Sequence, residues 1–432
     1  MSQDTPTHQG SPGDHEAGNK ADASASRDDL TYGDIVWSQF VQNRMAVVSL
    51  WVIVALVGVA VFAPVIASDH PFLWTEDGVS TSPWVGSLFD RNVYISPVDI
   101  FFNLVLVALL PLGGALIAWT KHLARKNLSK RAKRRKIRSV FLWATALLLA
   151  VFVGLLSMES SAEYRNYNRE IEKATEASSV DKNVPVPEAV FTLIPYSPRS
   201  QGFGSVEKPS AIHWIGTDQG TRDVGVRLIF GTRVALTVGV IAVAIYVLIG
   251  IILGSTAGFF GGRVDLVIQR MIEIMMSVPS FFVILTVVAF VDKPTIFHIM
   301  VILGLIRWTG VARLVRGEFL KLRKQEFVTA AQALGYKRRR IIFEQILPNA
   351  LGPVLVAAAF GVASCILVEA TLSFLGLGDL TVPSWGQTIK EGYATGAWHL
   401  ILAPGFCIFL TVSALNLVGE GLRDALDPKL RQ

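Results

Sequence analysis

Long apolar blocks separated by polar segments are the dominant pattern along this 432-residue chain. A helical block of about 20 apolar residues matches the roughly 30 Å hydrocarbon core of a bilayer. The pattern therefore predicts an all-α polytopic membrane protein with about eight transmembrane helices. The predicted spans are residues 45–67, 100–119, 140–157, 234–260, 274–291, 296–312, 350–375 and 400–421. In the fifth span, Pro279 predicts a kink, provided that neighbouring groups satisfy the carbonyl it frees.

The polar segments between these blocks predict the organisation of the chain. Residues 1–30 are rich in Ser, Asp and Gly with almost no apolar content, so we expect a disordered tail. The other predicted parts are an amphipathic segment with the first span (31–67), an external loop (68–99), a two-span hairpin with a basic loop (100–157), a second external segment (158–233) and the main membrane domain (234–432), whose polar loop is 313–348.

Positive charge is concentrated beside the spans. The net charge is +6, and residues 121–138 hold ten Lys or Arg and no acid. A nucleic-acid-binding patch is the alternative interpretation. However, no aromatic residues alternate with the cations, and a predicted span lies directly on each side of the segment. We therefore predict no nucleic-acid partner and a cytoplasmic anchor at the bilayer surface. With an even number of crossings, both termini and the basic loop 313–348 are then also predicted to be cytoplasmic.

No catalytic, cofactor or metal site is predicted. The chain lacks a GxxxxGK[ST] phosphate loop, and its seven histidines are scattered without metal-ligand spacing. Cys365 and Cys407 lie inside apolar runs, which is typical of small buried hydrophobic residues. We expect a protein that is not an enzyme.

Two ionisable residues fall inside apolar runs. Glu369 either lines a translocation path or forms buried hydrogen bonds that lock two helices together, because a charge there must face protein or water. Arg307 is predicted to extend toward the inner face of the membrane.

Residues 213–233 form a polar segment before the fourth span. Gly216-Thr217-Asp218 predicts a turn and a helix start with Thr217 or Asp218 as the cap. Val224, Leu228 and Ile229 predict one apolar face of a short helix lying against the membrane.

Residues 326–348 are a polar, basic interval between two spans. Helix formers come first, with Ala330 and Ala331 offering a surface poor in side chains, and Gly335 then predicts a turn. Four cations follow at 337–340, and a second helical piece ends at Pro348. The interval is either a docking surface for another protein or a solvated loop that only sets topology.

This interval resembles the cytoplasmic coupling loop, the EAA loop, of importer-type ABC transporter permeases. That pattern has Glu-Ala-Ala, three residues, Gly, and a Leu-Pro further on. Thr329 stands where many such permeases have the Glu, while the remaining positions fit. By this resemblance the ATPase-coupling residues are Thr329, Ala330, Ala331, Gly335, Leu347 and Pro348.

Other motifs resemble the dipeptide/oligopeptide/nickel branch of these permeases, in the same order along the chain. The matching elements are Gly216-Thr217-Asp218, Gly220, Arg222-Asp223, Arg227, Gly231, Arg233, Gly261-Gly262, Asp265, Pro279, Trp308, Ala312-Arg313, Arg316, Glu369-Ala370, LSFLGLG (372–378), Pro383-Ser384-Trp385-Gly386, Asn416-Leu417, Gly419, Gly421-Leu422-Arg423-Asp424 and Leu426-Asp427-Pro428.

The resemblance implies a permease subunit of an ATP-driven importer for peptides or related solutes, in the inner membrane of a bacterium. It implies a six-helix type I importer plan, to which 100–157 adds a hairpin. The implied partners are two cytoplasmic ATP-binding subunits, a second homologous permease and an external substrate-binding protein. An ion-coupled secondary transporter and a membrane scaffold without transport activity are the alternatives.

Overall fold

The structure is a computed structural model that describes residues 32–76, 78–125, 130–157, 165–181, 185–202 and 204–426. The predicted disordered tail at 1–30 lies outside the described residues. The helices are α1 (Tyr32–Gln42), α2 (Arg44–Ile66), α3 (Pro83–Ser87), α4 (Pro97–Arg125), α5 (Lys130–Ser157), α6 (Tyr167–Val180), α7 (Val224–Phe260), α8 (Gly262–Ser277), α9 (Ser280–Ala289), α10 (Ile296–Leu322), α11 (Glu326–Ala333), α12 (Arg338–Arg340), α13 (Leu347–Phe374), α14 (Trp385–Thr395) and α15 (His399–Leu426), with a π-helical segment at Ile341–Ile346.

The membrane helices agree with the predicted fold class. Within the described residues, five helical stretches are long and apolar enough to cross a bilayer, and two bent helix pairs raise the number to seven. A shorter apolar helix, Leu142–Leu156, lies within α5. Each predicted span falls on one of these elements, so the all-α polytopic class is confirmed. The five long stretches are α2, α7, α10, Arg338–Phe374 and α15, and the bent pairs are the two halves of α4 and the pair α8–α9.

Pro279 interrupts the span that the sequence places at 274–291. α8 ends at Ser277, α9 begins at Ser280, and the two helices meet at a bend of 76°. Proline lacks an amide hydrogen and its ring collides with the preceding turn, so a continuous helix is interrupted there. The predicted kink at Pro279 is therefore present as a full break.

α7 packs more closely on α10 than large side chains would permit. Gly250, Gly254 and Gly258 recur every four residues on one face of α7, where an added Cβ at Gly254 would lie 2.8 Å from the side chain of Val315. Association of helices in lipid depends on such close backbone approach, because lipid tails are as apolar as the side chains. The glycine pattern thus sets the central helix pair of the bundle.

The start of α7 differs from the prediction. Asp223 is its N-cap and accepts a hydrogen bond of 2.9 Å from the Val226 amide, so the proposed caps Thr217 and Asp218 are wrong. The predicted short helix is the first part of α7, which continues without interruption through Val224 to Phe260. The reason is local, because Asp218 bonds the Arg222 amide and holds a closed turn ahead of the helix.

A small three-stranded antiparallel sheet joins the two polar segments that the sequence leaves as loops. Its order is β2 (Val79–Thr81), β1 (Leu73–Glu76), β3 (Glu188–Val190). Trp74 on β1 is buried, and the Arg165 guanidinium lies 5.4 Å from its ring centroid. Hydrogen bonds from Trp74 and Arg165 hold the pKa of Glu76 below its usual range.

We call the end of the helix bundle that carries this sheet the cap end. The opposite end, which carries residues 326–348, is the loop end.

We predict that Gly254→Leu destabilises the helix pair α7–α10. Overpacking a close contact typically costs about 1–3 kcal/mol. The thermal unfolding midpoint of the purified complex should fall, as followed by size-exclusion fluorescence after heating. Gly58→Leu on α2 is the matched control, because no atom lies within 4 Å of an added Cβ there. Equal midpoints for the two variants would contradict the packing argument.

Candidate functional site

The turn after α11 is closed by a specific hydrogen-bond pattern. Gly335 has φ +73° and donates to the Gln332 carbonyl at 2.9 Å, while the Tyr336 amide donates to the Ala331 carbonyl at 3.1 Å. These two bonds are the Schellman motif, which needs a residue in the left-handed region and strongly favours glycine. The predicted turn at Gly335 is therefore present, and it gives α11 a defined end.

The two alanines of this interval do not share one surface. Ala330 is exposed, whereas Ala331 is 5% exposed and packs in the core with Val328 and Ile341. The prediction treated both as a single open face, but helical spacing turns neighbouring residues about 100° apart. Only Ala330 is available to another protein.

The exposed side of α11 is an apolar stripe. Phe327, Ala330 and Leu334 recur at i, i+3 and i+7, and the side chain of Leu334 is 73% exposed. Thr329 is exposed beside them, and its hydroxyl donates to the Gln325 carbonyl at 3.1 Å. An apolar stripe on a short polar interval outside the spans is typical of a helix that docks into a groove of another protein.

Leu347 and Pro348 lie where the helix widens before the next span. The Leu347 amide donates to the Ile342 carbonyl, five residues back, so Ile341–Ile346 is π-helical. Pro348 has no amide hydrogen and would collide with the carbonyl four residues earlier in a regular helix, which explains the widened turn. Helical backbone nevertheless runs on through Arg338–Phe374, so the interval is joined stiffly to a membrane span.

Basic side chains border the apolar stripe. Lys337 and Arg338 are exposed, and the Arg340 guanidinium lies 4.2 Å from the Tyr336 ring centroid and 2.9 Å from Glu344. A shallow hollow of about 460 Å³ is lined by Lys337, Arg339, Arg340, Phe343 and Glu344. The surface next to α11 is therefore cationic, and it suits an acidic or polar partner surface.

The base of α10 is tied to its neighbours near the loop end. The Arg316 guanidinium forms two hydrogen bonds to Asp265 on α8, of 2.5 and 2.7 Å. Arg323 donates to the Gly258 carbonyl of α7 at 3.1 Å. α11 thus starts from a point fixed by two other helices.

Glu369 lies in a closed polar contact and not on an open surface. It is 3% exposed, and its Oε1 accepts hydrogen bonds from the hydroxyls of Ser373 at 2.7 Å and Ser384 at 2.9 Å. Ser384 is also the N-cap of α14, so this carboxyl joins α13 to α14. The geometry favours the helix-locking interpretation.

Charged residues of the 213–233 segment form a buried cluster at the cap end. Asp218 pairs with Arg222 at 2.9 Å and with Arg227 at 3.1 Å, and Glu391 of α14 lies 3.4 Å from Arg222. Burial raises the pKa of Glu391, while the nearby Arg227 lowers it. The His213 Nδ1 lies 2.8 Å from the capping Asp223. These contacts fix the start of α7 against α14.

Sequence reasoning missed a buried anchor between α4 and α7. Arg233 is fully buried and donates to the Ala60 carbonyl at 2.6 Å, to Asp99 at 3.0 Å and to Asn103 at 2.8 Å. The available signal was an acid, Asp99, immediately before one predicted span and an arginine, Arg233, immediately before another. Because an unpaired buried charge is costly, the two had reason to meet.

Family comparisons agree with this arrangement. Residues 250–432 match the family described as binding-protein-dependent transport system inner membrane component, and residues 31–78 match the N-terminal TM domain of oligopeptide transport permease C. The dipeptide transport system permease protein DppC of Alkalihalophilus pseudofirmus is 34% identical over 307 residues, which cover 70% of this chain and 89% of that protein. The chain belongs to the family of dipeptide and oligopeptide ABC transport permeases.

Two further likenesses are more restricted. The oligopeptide transport system permease protein OppC of Haemophilus influenzae is 46% identical over 224 residues, which cover 51% of this chain and 71% of that protein. A chain of the inward-facing MetNI methionine ABC transporter covers 46% of this permease at 18% identity and a TM-score of 0.40. The second likeness is too distant to bear on mechanism.

Membership of this family decides the class of function. The permease is a multi-pass membrane subunit of an ABC peptide importer, belongs to a complex with ATPase subunits and is not itself an enzyme. The ion-coupled transporter and scaffold hypotheses are therefore set aside. Among the described residues, no group of three His, Cys, Asp or Glu side chains is placed to hold a metal ion.

We predict that Glu369→Gln keeps uptake and stability close to those of the parent, because it retains an acceptor oxygen for both serines. Glu369→Leu removes the acceptor of the Ser373 and Ser384 hydroxyl protons, and a buried donor without an acceptor costs about 1–3 kcal/mol. The measurements are uptake in proteoliposomes and the thermal midpoint of the complex. Strong loss of uptake by a fully assembled Gln variant would restore the translocation-path role.

Proposed function

We propose that this permease imports peptides with a second homologous permease, two cytoplasmic ATP-binding subunits and an external substrate-binding protein. The observation that carries the proposal is the exposed apolar stripe of Phe327, Ala330 and Leu334 on α11. A partner groove that receives this stripe buries side chains that otherwise face water. The ATP-binding subunits are the partners that a permease of this family needs on that side.

The proposed coupling depends on the stiffness of the interval. α11 ends in a closed Schellman turn, and helical backbone continues from Arg338 through the π-helical segment into α13. Closure of the ATPase dimer would move α11 as a rigid body and carry α13 with it. Rocking of such helices exposes the path alternately to the two sides of the membrane.

The proposed orientation places the loop end in the cytoplasm. Both basic intervals, 121–138 and 313–348, then lie on the inner side, as the positive-inside rule requires. Both termini share that side. The three-stranded sheet and α6 lie outside the inner (plasma) membrane of the bacterium, where the substrate-binding protein delivers its cargo.

In this proposal Thr329, Gly335, Leu347 and Pro348 have separate roles. Thr329 borders the docking stripe, and Gly335 permits the turn that presents it. Leu347 and Pro348 shape the widened turn that joins the interval to α13. Ala331 supports the stripe from beneath, within the core.

We predict that Ala330→Trp weakens retention of the ATP-binding subunits without preventing membrane insertion. Overpacking a tight contact costs about 1–3 kcal/mol, and 1.4 kcal/mol is about tenfold in association. The measurements are bound ATPase after purification and substrate-stimulated hydrolysis in proteoliposomes.

Two further variants separate this effect from others. Arg338→Ala should do less, because an exposed charge usually contributes below about 1 kcal/mol. Ala331→Trp should instead lower the thermal midpoint of the permease, since that side chain is buried. If the Ala330→Trp complex retains the ATP-binding subunits and couples hydrolysis to uptake normally, the docking role is wrong. The interval 326–348 would then only connect two spans.

Topology is tested by single cysteines in a background with Cys365→Ala and Cys407→Ala. Glu176→Cys on α6 and Lys324→Cys before α11 both replace exposed residues. With an impermeant maleimide, Glu176→Cys should react in spheroplasts, whereas Lys324→Cys should react only after lysis. The reverse pattern would overturn the orientation.

A further inference from the structure

Arg307 is a cation near the middle of the membrane domain. It is the twelfth residue of α10, about 17 Å along the helix axis from the cap end at 1.5 Å per residue. It belongs to the stripe of α10 that faces other helices, between the buried Leu303 and Val311. The extension of its side chain toward the inner face stays a prediction.

The surroundings of Arg307 are polar but carry no counter-charge. Its guanidinium contacts the Cys365 thiol on α13 and lies close to Tyr246 on α7. Within the part of the chain that the structure describes, Arg307 forms no salt bridge, and its Nη1 atom is buried without a hydrogen-bond partner. A buried guanidinium in this state has capacity for an acceptor that this chain does not supply.

Two other arginines packed among these helices have carboxylate partners. Arg233 pairs with Asp99 and Arg316 pairs with Asp265. The fold therefore has the means to neutralise an arginine, and it does not do so at 307. Arg307 as a whole residue is only partly buried, whereas the adjacent Trp308 is 6% exposed, and the Nη1 atom of Arg307 is the enclosed part of its side chain. Ionisable residues at this depth typically face a water-filled cavity or a substrate path.

We propose that Arg307 lines the translocation path and binds the carboxyl-terminal carboxylate of the passing peptide, an inference that rests on the proposed function. A guanidinium matches a carboxylate with two parallel hydrogen bonds. Every linear peptide with a free carboxyl end presents this group whatever its side chains are. Lipid phosphates remain at the membrane surface, far from this depth.

The test compares two substrate pools in proteoliposomes that hold the full complex and its binding protein. One pool contains random peptides of three to five residues, and the other contains the same peptides with amidated carboxyl ends. Uptake of each pool is divided by the occupancy of the binding protein, measured separately, so that selection by that protein cancels. If the parent complex imports neither pool, the proposed peptide import itself fails, and this inference fails with it.

Arg307→Gln should lower the normalised uptake of free-acid peptides about tenfold, which corresponds to about 1.4 kcal/mol, and change amide uptake less than twofold. Arg307→Lys should retain most of the preference for the free acid, because it keeps the charge. Arg91→Gln, an exposed arginine at the cap end, is the matched control and should change neither pool. Equal loss for both pools, or no loss for either, would overturn the proposal. Loss of the second permease from the Arg307→Gln complex would also overturn it, since the arginine would then serve an acid of that subunit.

A second measurement tests access to the site. Arg307→Cys in the background without Cys365 and Cys407 should react with a small water-soluble thiol reagent in the nucleotide-free or the ATP-trapped complex. Protection from the reagent in both states would show that position 307 never faces the path, and would overturn the proposal even if the uptake variants fail to assemble.

Discussion

Close approach of helix backbones in lipid is the constraint on which the rest of this structure depends. Hydrocarbon provides no hydrophobic driving force between helices, so association must come from packing and from internal hydrogen bonds. In α7 the row of Gly250, Gly254 and Gly258 lets α10 lie directly against the backbone. α10 is thereby held at the depth and angle from which both the interval 326–348 and Arg307 are positioned.

Packing alone would allow the helices to slide along one another. Buried polar contacts fix the positions of their ends. Arg233 joins α7 to Asp99 of α4, and Glu369 joins α13 to the cap of α14 through Ser384. Each contact is fully enclosed, so that removing one partner leaves an unsatisfied group in a medium without water. Arg307 departs from this rule, and the departure is the reason to assign it a role beyond structure.

The interval 326–348 combines a surface for a partner with a stiff connection to the membrane. Phe327, Ala330 and Leu334 face outward, while Ala331 faces the core and anchors the same helix. The Schellman turn at Gly335 and the π-helical turn before Pro348 give two bends of defined geometry instead of two hinges. In the proposed coupling, these two bends would pass a force on α11 to α13.

The sequence by itself determined the class of fold, the interruption at Pro279 and the turn at Gly335. Each follows from a local property: apolar length, a missing amide hydrogen or a required left-handed residue. The sequence predicted eight spans, whereas the described residues contain five to seven candidates. The tertiary structure alone decided which side each residue faces and which distant residue it meets. Ala331 is buried because the π-helical segment Ile341–Ile346 packs against that face of α11. Arg233 meets Asp99 across 134 positions of sequence, and the caps Thr217 and Asp218 were wrong because Asp218 is held by arginines. Contacts of this kind depend on how the helices pack around one another, and the local sequence pattern does not encode this packing.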